Sequence, residues 1–422
     1  MNKDNLKNSS PIQKNTLSVF QIAVMTTISV ASLRTLPPMA EEGRASILMY
    51  IIPAILFLIP TSLVSAEFAT TYKGGVYVWI REAFGNRMGF VAIWLQWIQN
   101  VVWYPVQLAF VAAALAFTIN RGDLSNSGLF TAIVIIVVYW FSTFLAFKGG
   151  NLFAKVSSIG GMIGVLIPGA VLIILGLLWV AQGQPVSESY LQSSYIPKIT
   201  GISSLVLIVS NVLSYAGMEM NAVHAGQMEN PKKNFTKAIS LAFILILCVF
   251  IFPTLSIAMA VPADKLGMAN GIMVAFQEFF EKLHISWMSN IMSGAMFFGA
   301  IASVVTWVAG PSKGLLDAGR TGLLPPILQK INKNNVQINI LIFQGIIVTI
   351  LAMIYVLFPD VSDVFIALIG MAAALYVVMY MLMFAAVIVL RKKEPSIERG
   401  YKVPAVKFVS GIGFISCALA FI

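Results

Sequence analysis

The sequence predicts an all-α polytopic membrane protein. Three observations carry the prediction: 59% of the 422 residues are hydrophobic, only 10% are charged, and apolar runs of bilayer-crossing length recur along the whole chain, for a mean hydropathy of +0.87. Soluble domains carry about one-quarter charged residues, so two or three globular domains are set aside. A net charge of +10 would suit nucleic acid, but the basic residues are dispersed between apolar runs and gather on no single face. No nucleic-acid partner is expected; the basic residues read as topology signals.

The chain opens with a polar tail, 1–16, whose "MNKDNLKNSSPIQKN" has no small-residue cleavage site after the apolar run that follows, so that run is not a removable signal peptide. A crossing takes about 20 residues, and eleven segments qualify: 17–40, 45–69, 89–118, 128–147, 153–181, 201–223, 236–261, 285–310, 338–358, 363–390 and 405–422. Sorting the intervening loops alternately places 21 of the 27 Lys and Arg on one side and 5 on the other, with Arg34 alone inside a span. By the positive-inside rule the N-terminus is cytoplasmic. Cys248 and Cys417 lie inside spans and read as lipid-facing or core thiols, and His224 and His284 are isolated. No metal-ligand spacing, nucleophilic triad or phosphate loop stands out, so neither a cofactor nor an enzyme is expected.

Spans one and six are the unusual ones. Span one places Thr26, Thr27, Ser29, Ala31 and Ser32 before Arg34 and a double proline, Pro37-Pro38; span six contains "SNVLSYAGMEMNA". Both are small and polar where lipid would favour leucine. Interrupted helices in equivalent positions of two repeats expose backbone groups that can bind a substrate, and a separation of five spans fits a 5+5 inverted repeat. Two short amphipathic segments support the pairing: "GGVYVWIREAFG" after span two and "NGIMVAFQEFF" after span seven, too short to cross and on opposite sides. The repeats are therefore expected at 17–181 and 201–390, with a peripheral helix at 405–422. An odd span count ending on "FISCALAFI" leads us to expect a twelfth helix beyond the given sequence.

Three stretches, "AEFATTYKGGVYVWIREAFG" at 66–85, "SYAGMEMNAVHAGQMENPKK" at 214–233 and "WVAGPSKGLLDAGRTGLLPPILQKINKNNVQ" at 307–337, resemble the amino acid/polyamine/organocation (APC) superfamily of transporters, and the third resembles its bacterial glutamate/GABA antiporter branch. The resemblance runs from about residue 17 to the end. It implies a LeuT-type fold with helices 1 and 6 discontinuous, in the bacterial inner membrane, and amino-acid transport by alternating access. Antiport of an amino acid against its decarboxylated amine, or against another amino acid, is the favoured cycle; proton-coupled symport is the alternative, and a non-transporting amino-acid sensor is the alternative from another class. Glu219, Tyr376 and Tyr380 match residues of that branch. The chain departs from it at Arg34, where the branch has a tyrosine, and at Ser303, and these departures leave the amino acid open.

The expected binding mode sets the substrate carboxylate on backbone amides around Thr27, Ser29, Ala31 and Ser32, and its ammonium on carbonyls near Ser210, Ser214 and Tyr215. Arg34, Met218, Ser303, Thr306 and Tyr376 would read the side chain. Glu219 and Tyr380 are candidates for gating or proton coupling, Glu219 equally for a structural acid. Glu67 reads as structural, with Arg81, Arg87 or Lys155 as partner; Lys313 and Asp317 read as a helix-surface pair; Trp94, Trp97 and Trp103 read as packing or belt aromatics. A charge inside a span costs about 2.5–3.5 kcal/mol on insertion scales and so has a reason to be there. For Arg34 the expected partners are Glu219, Glu41 or Glu42, or an acidic group of the substrate; snorkelling to the interface is the alternative. The expected partners of the chain are the amino acid, its amine and the lipid bilayer, with a homo-oligomer left open.

Overall fold

The computed structural model describes residues 17–72, 75–148, 159–197, 211–220, 228–319, 322–358 and 360–421. Among them, eight helices are long and apolar enough to cross a membrane, or nine if a bent pair is counted as one span, and no strand forms beyond a single bridge between Leu17 and Met228. The bent pair is span one. Helix α1 (Val19–Val30) starts on a capping box in which Ser18 and Gln21 satisfy each other's backbone amides, and it ends at Ala31. A short turn, Leu33–Thr35, leads into α2 (Leu36–Glu41), inclined at 45° to α1. Most of span six, including Ser210, lies outside the described residues; span eleven is a helix of 16 residues.

Span two runs continuously through Gly43–Thr71 as α3 (Ser46–Pro53), a widened turn at Ala54–Leu58, and α4 (Ile59–Thr71). Span five contains the same device, a widened turn at Met162–Leu166 before α8 (Ile167–Ala181). Each widened turn precedes an Ile-Pro pair, Ile59-Pro60 and Ile167-Pro168. A proline lacks the amide that would close the regular turn, and a π turn absorbs the missing donor. Between these spans lie α5 (Val76–Phe84), α6 (Asn86–Thr118) and α7 (Gly128–Lys148); a one-turn helix, α9 (Glu188–Gln192), follows α8. The second half comprises α10 (Pro231–Ala260), α11 (Gly271–Lys282), α12 (Trp287–Gly319), α13 (Ile338–Leu357), α14 (Val361–Lys393) and α15 (Val406–Phe421).

The two short amphipathic segments are helices α5 and α11, as their pattern predicts. Each buries its apolar side, Val76, Tyr77, Trp79, Ile80 and Ala83 in α5 and Ile272, Met273, Phe276, Phe279 and Phe280 in α11. The most enclosed span is α6, which packs against α12, α14, α5 and α7 and is buried along almost its whole length. Lipid-exposed spans such as α7 turn leucine, isoleucine and phenylalanine outward, including Leu129, Ile133 and Phe144. With no hydrophobic drive between helices in lipid, small residues let backbones close up. Gly164 and Gly299 do this where span five crosses α12: a methyl added to either would run into the other.

Candidate functional site

Both interruptions follow from local sequence. In span one, Ala31 and Ser32 adopt extended conformations, and Pro37 and Pro38 can donate no amide to continue a helix through Leu33 and Arg34. Among the described residues no backbone carbonyl takes the amides of Ser32, Leu33 and Arg34. In span six, 211–214 are helical and 215–219 form a turn, with Gly217 at φ +113°. The amide of Gly217 donates to the Tyr380 hydroxyl at 2.8 Å instead of to a helical carbonyl. A methyl at Gly217 would lie 3.4 Å from the Ser29 carbonyl oxygen, so the two interruptions touch.

A cavity of about 110 Å³ opens where they meet, walled by 28–35 of span one and by Leu213, Ser214 and Ala216 of span six. Drug-sized pockets span roughly 300–1,000 Å³, so this one suits a small metabolite. Of the expected binding residues, Ser29, Ala31, Ser32, Arg34, Ser214, Ser303 and Tyr376 line it. Three do not. Thr27 turns back to the Ala23 carbonyl at 2.8 Å, as a hydroxyl one turn above a helical carbonyl commonly does. Tyr215 is fully buried and donates to the Tyr50 carbonyl at 2.9 Å, so it ties span six to span two; Met218 is fully buried in the core. Thr306 is helical, but its side chain, like Ser210, lies outside the described residues.

The sequence reading missed Gln99, Trp103 and Gln107, which form another wall of the cavity together with Asn100. The signal was present: residues 99, 103 and 107 recur every fourth position on one face of α6. Trp103 is thus a wall residue as well as a packing aromatic. Trp97 donates to Gln344 at 2.7 Å inside the bundle, and Trp94 is 41% exposed.

Among the described residues Arg34 is the one charged residue of the cavity wall, and it is only 5% exposed. Its guanidinium carbon sits 5.6 Å from the centre of the Phe365 ring. Neither Glu219 nor Glu41 nor Glu42 comes within ion-pair distance, and its Nε and Nη1 atoms have no hydrogen-bond partner among the described residues. Two of the expected partnerships are therefore absent, and so is snorkelling, because protein encloses the group.

Below the cavity Tyr376, Tyr380 and Gln96 surround Glu219. The two tyrosine hydroxyls donate to its two carboxylate oxygens at 2.6 Å each, and Gln96 approaches at 3.4 Å. Glu219 also borders a second cavity, of about 440 Å³, with Gln96, Tyr77, Lys313 and Asp317. The layer formed by Tyr376 and Glu219 separates the two spaces. Lys313 and Asp317, read from sequence as a surface pair, both face the second cavity.

Glu67 is structural, but with partners other than those expected. Arg391 grips both carboxylate oxygens at 2.8 and 2.5 Å, Arg399 approaches at 3.3 Å, and the Val403 amide donates at 2.7 Å. Arg81 instead pairs with its neighbour Glu82.

Interrupted spans around a small cavity are the arrangement expected of secondary transporters. The chain is a member of the amino acid permease family, whose profile matches residues 16–422. It is 38% identical to an uncharacterized transporter of Legionella pneumophila subsp. pneumophila, over 97% of this chain and 89% of that one. It is 29% identical to a glutamate/gamma-aminobutyrate antiporter of Lactococcus lactis subsp. lactis, over 94% of this chain and 81% of the relative. A probable agmatine/putrescine antiporter of the same organism is 26% identical, over 92% and 83% respectively. The expected superfamily membership thus holds.

Proposed function

We propose that this chain is an amino-acid carrier of a bacterial cytoplasmic membrane, working by alternating access with its N-terminus cytoplasmic and exchanging an amino acid for an amine or a second amino acid. The observation that carries this reading is the cavity walled by both interruptions. It offers a carboxylate the backbone amides of Ser32, Leu33 and Arg34, which no backbone carbonyl takes among the described residues, and it offers an ammonium the peptide groups around Ser214 and Ala216. Fixed peptide dipoles hold both α-carbon groups without a dedicated ion pair. The layer of Tyr376, Tyr380 and Glu219 acts as the gate toward the second cavity, and opening it requires those tyrosine bonds to break. The inverted 5+5 repeat supplies the rocking motion in this account.

Proton-coupled symport is the second reading, favoured by the position of Glu219 between the two cavities. Purified protein in liposomes separates these readings. Liposomes preloaded with each amino acid or amine should take up labelled substrate by saturable counterflow. Uptake driven by a proton gradient into empty liposomes would favour symport, and binding without flux would make the protein a sensor.

A further inference from the structure

We infer that Arg34 is a specificity-determining residue that binds a second anionic group on the substrate, so that the carrier takes amino acids with an ionised acidic side chain. The inference rests on the reading of the cavity as the amino-acid site. An isolated charge removed from water is costly unless it is paired. Arg34 is enclosed, and among the described residues no carboxylate neutralises it: Glu219 is held by two tyrosines, and no acidic residue lines the cavity.

Around Arg34 the structure places an aromatic face and a buried hydroxyl but no countercharge among the described residues. The Tyr355 hydroxyl, fully buried, interacts electrostatically with Arg34 and has no hydrogen-bond partner among the described residues. A carboxylate in the cavity would accept from the guanidinium fork, while the Phe365 face steadies the cation from another direction.

The backbone groups already accommodate a zwitterion, so the Arg34 guanidinium, which lines the same cavity, is left to pair with one further carboxylate on the substrate. The position fits as well, because the Arg34 side chain lines the same cavity as the backbone amides that serve the α-carboxylate, so one substrate can reach both. A group remote from the α-carbon also survives α-decarboxylation. Arg34 would therefore hold the same handle on an incoming amino acid and on its outgoing amine, and would disfavour amines carrying only positive charge.

The test compares L-glutamate with L-glutamine by direct binding to purified protein and by counterflow in liposomes, for wild type, Arg34→Gln and Arg34→Lys. Wild type should bind glutamate about tenfold or more tighter than glutamine, as expected for a hydrogen-bonded pair with a charged group. Arg34→Gln should abolish that preference, and Arg34→Lys should keep part of it, because lysine retains the charge but not the fork. Melting of the ligand-free protein controls for folding: removing an unpaired buried charge should leave Arg34→Gln at least as stable as wild type. Equal binding of the two ligands by wild type, binding of neither, or an unchanged preference in Arg34→Gln overturns the inference. Counterflow of glutamine equal to that of glutamate sinks the inference and leaves the carrier intact; tight glutamate binding without counterflow does the reverse.

Discussion

Glu67 and Glu219 are both buried carboxylates, yet their surroundings give them opposite tasks. Glu67 faces two arginines and a backbone amide, and its side chain is 2% exposed. Removing one partner of such a pair leaves charge without compensation, at a cost of about 3–5 kcal/mol. Glu67→Ala should therefore lower the melting temperature sharply and reduce the amount of folded carrier, whatever substrate is present. Thermal unfolding of the purified variant checks this, and an unchanged melting temperature would make the cluster incidental. Among the described residues Glu219 has no cation, only neutral donors, the two tyrosine hydroxyls and the Gln96 amide, which can let go. Glu219→Gln should keep binding but slow exchange by about tenfold or more, since hydrogen bonds to a charged group are worth about 1.5–3 kcal/mol. Counterflow rates at matched binding measure it. The roles of these residues were partly legible in the sequence, because an acid inside an apolar run demands a partner. The partners were not, since Arg391 lies 324 residues from Glu67 and local spacing carries no information across that distance.

At the scale of elements, composition revealed more than periodicity. The interruption of span one announced itself through Thr-Thr, Ser and Pro-Pro, and the turn in span six through Tyr-Ala-Gly. The short helices α5 and α11 were legible from one-sided apolar patterning. The widened turns before Ile59-Pro60 and Ile167-Pro168 were not, because a proline in a long apolar run marks a disturbance without saying whether the helix kinks, widens or ends. The direction of Tyr215 was equally hidden: a tyrosine beside a helix break can face the cavity or a neighbouring span, and here the Tyr50 carbonyl decided it. Gly217 carries the element-scale prediction. Its φ of +113° lies where a residue with a side chain is strained, at about 1–3 kcal/mol. Gly217→Ala should displace the turn against Ser29, disturb the bond to Tyr380 and lower substrate affinity, with a smaller loss of stability than Glu67→Ala. Titration of substrate binding beside thermal unfolding separates the two effects.

For the whole molecule, hydropathy and the distribution of lysine and arginine specify a many-span helical protein. The cavity comes from long-range assembly: span one packs against α10, and α6, α12 and α14 supply the remaining walls around spans one and six. The face of α6 that carries Gln99, Trp103 and Gln107 contributes polar groups that no motif flagged. The central claim is that this cavity opens alternately to the two sides, with the Tyr376 and Glu219 layer closing one route. The most direct measurement places a single thiol in the cavity, Ser303→Cys in a background carrying Cys248→Ser and Cys417→Ser, and follows its reaction with a membrane-impermeant reagent applied to each side. Alternating access predicts that the thiol is reached from either side, that substrate slows both reactions, and that conditions favouring one reaction disfavour the other. A thiol reached from one side only, with or without substrate, would contradict the account.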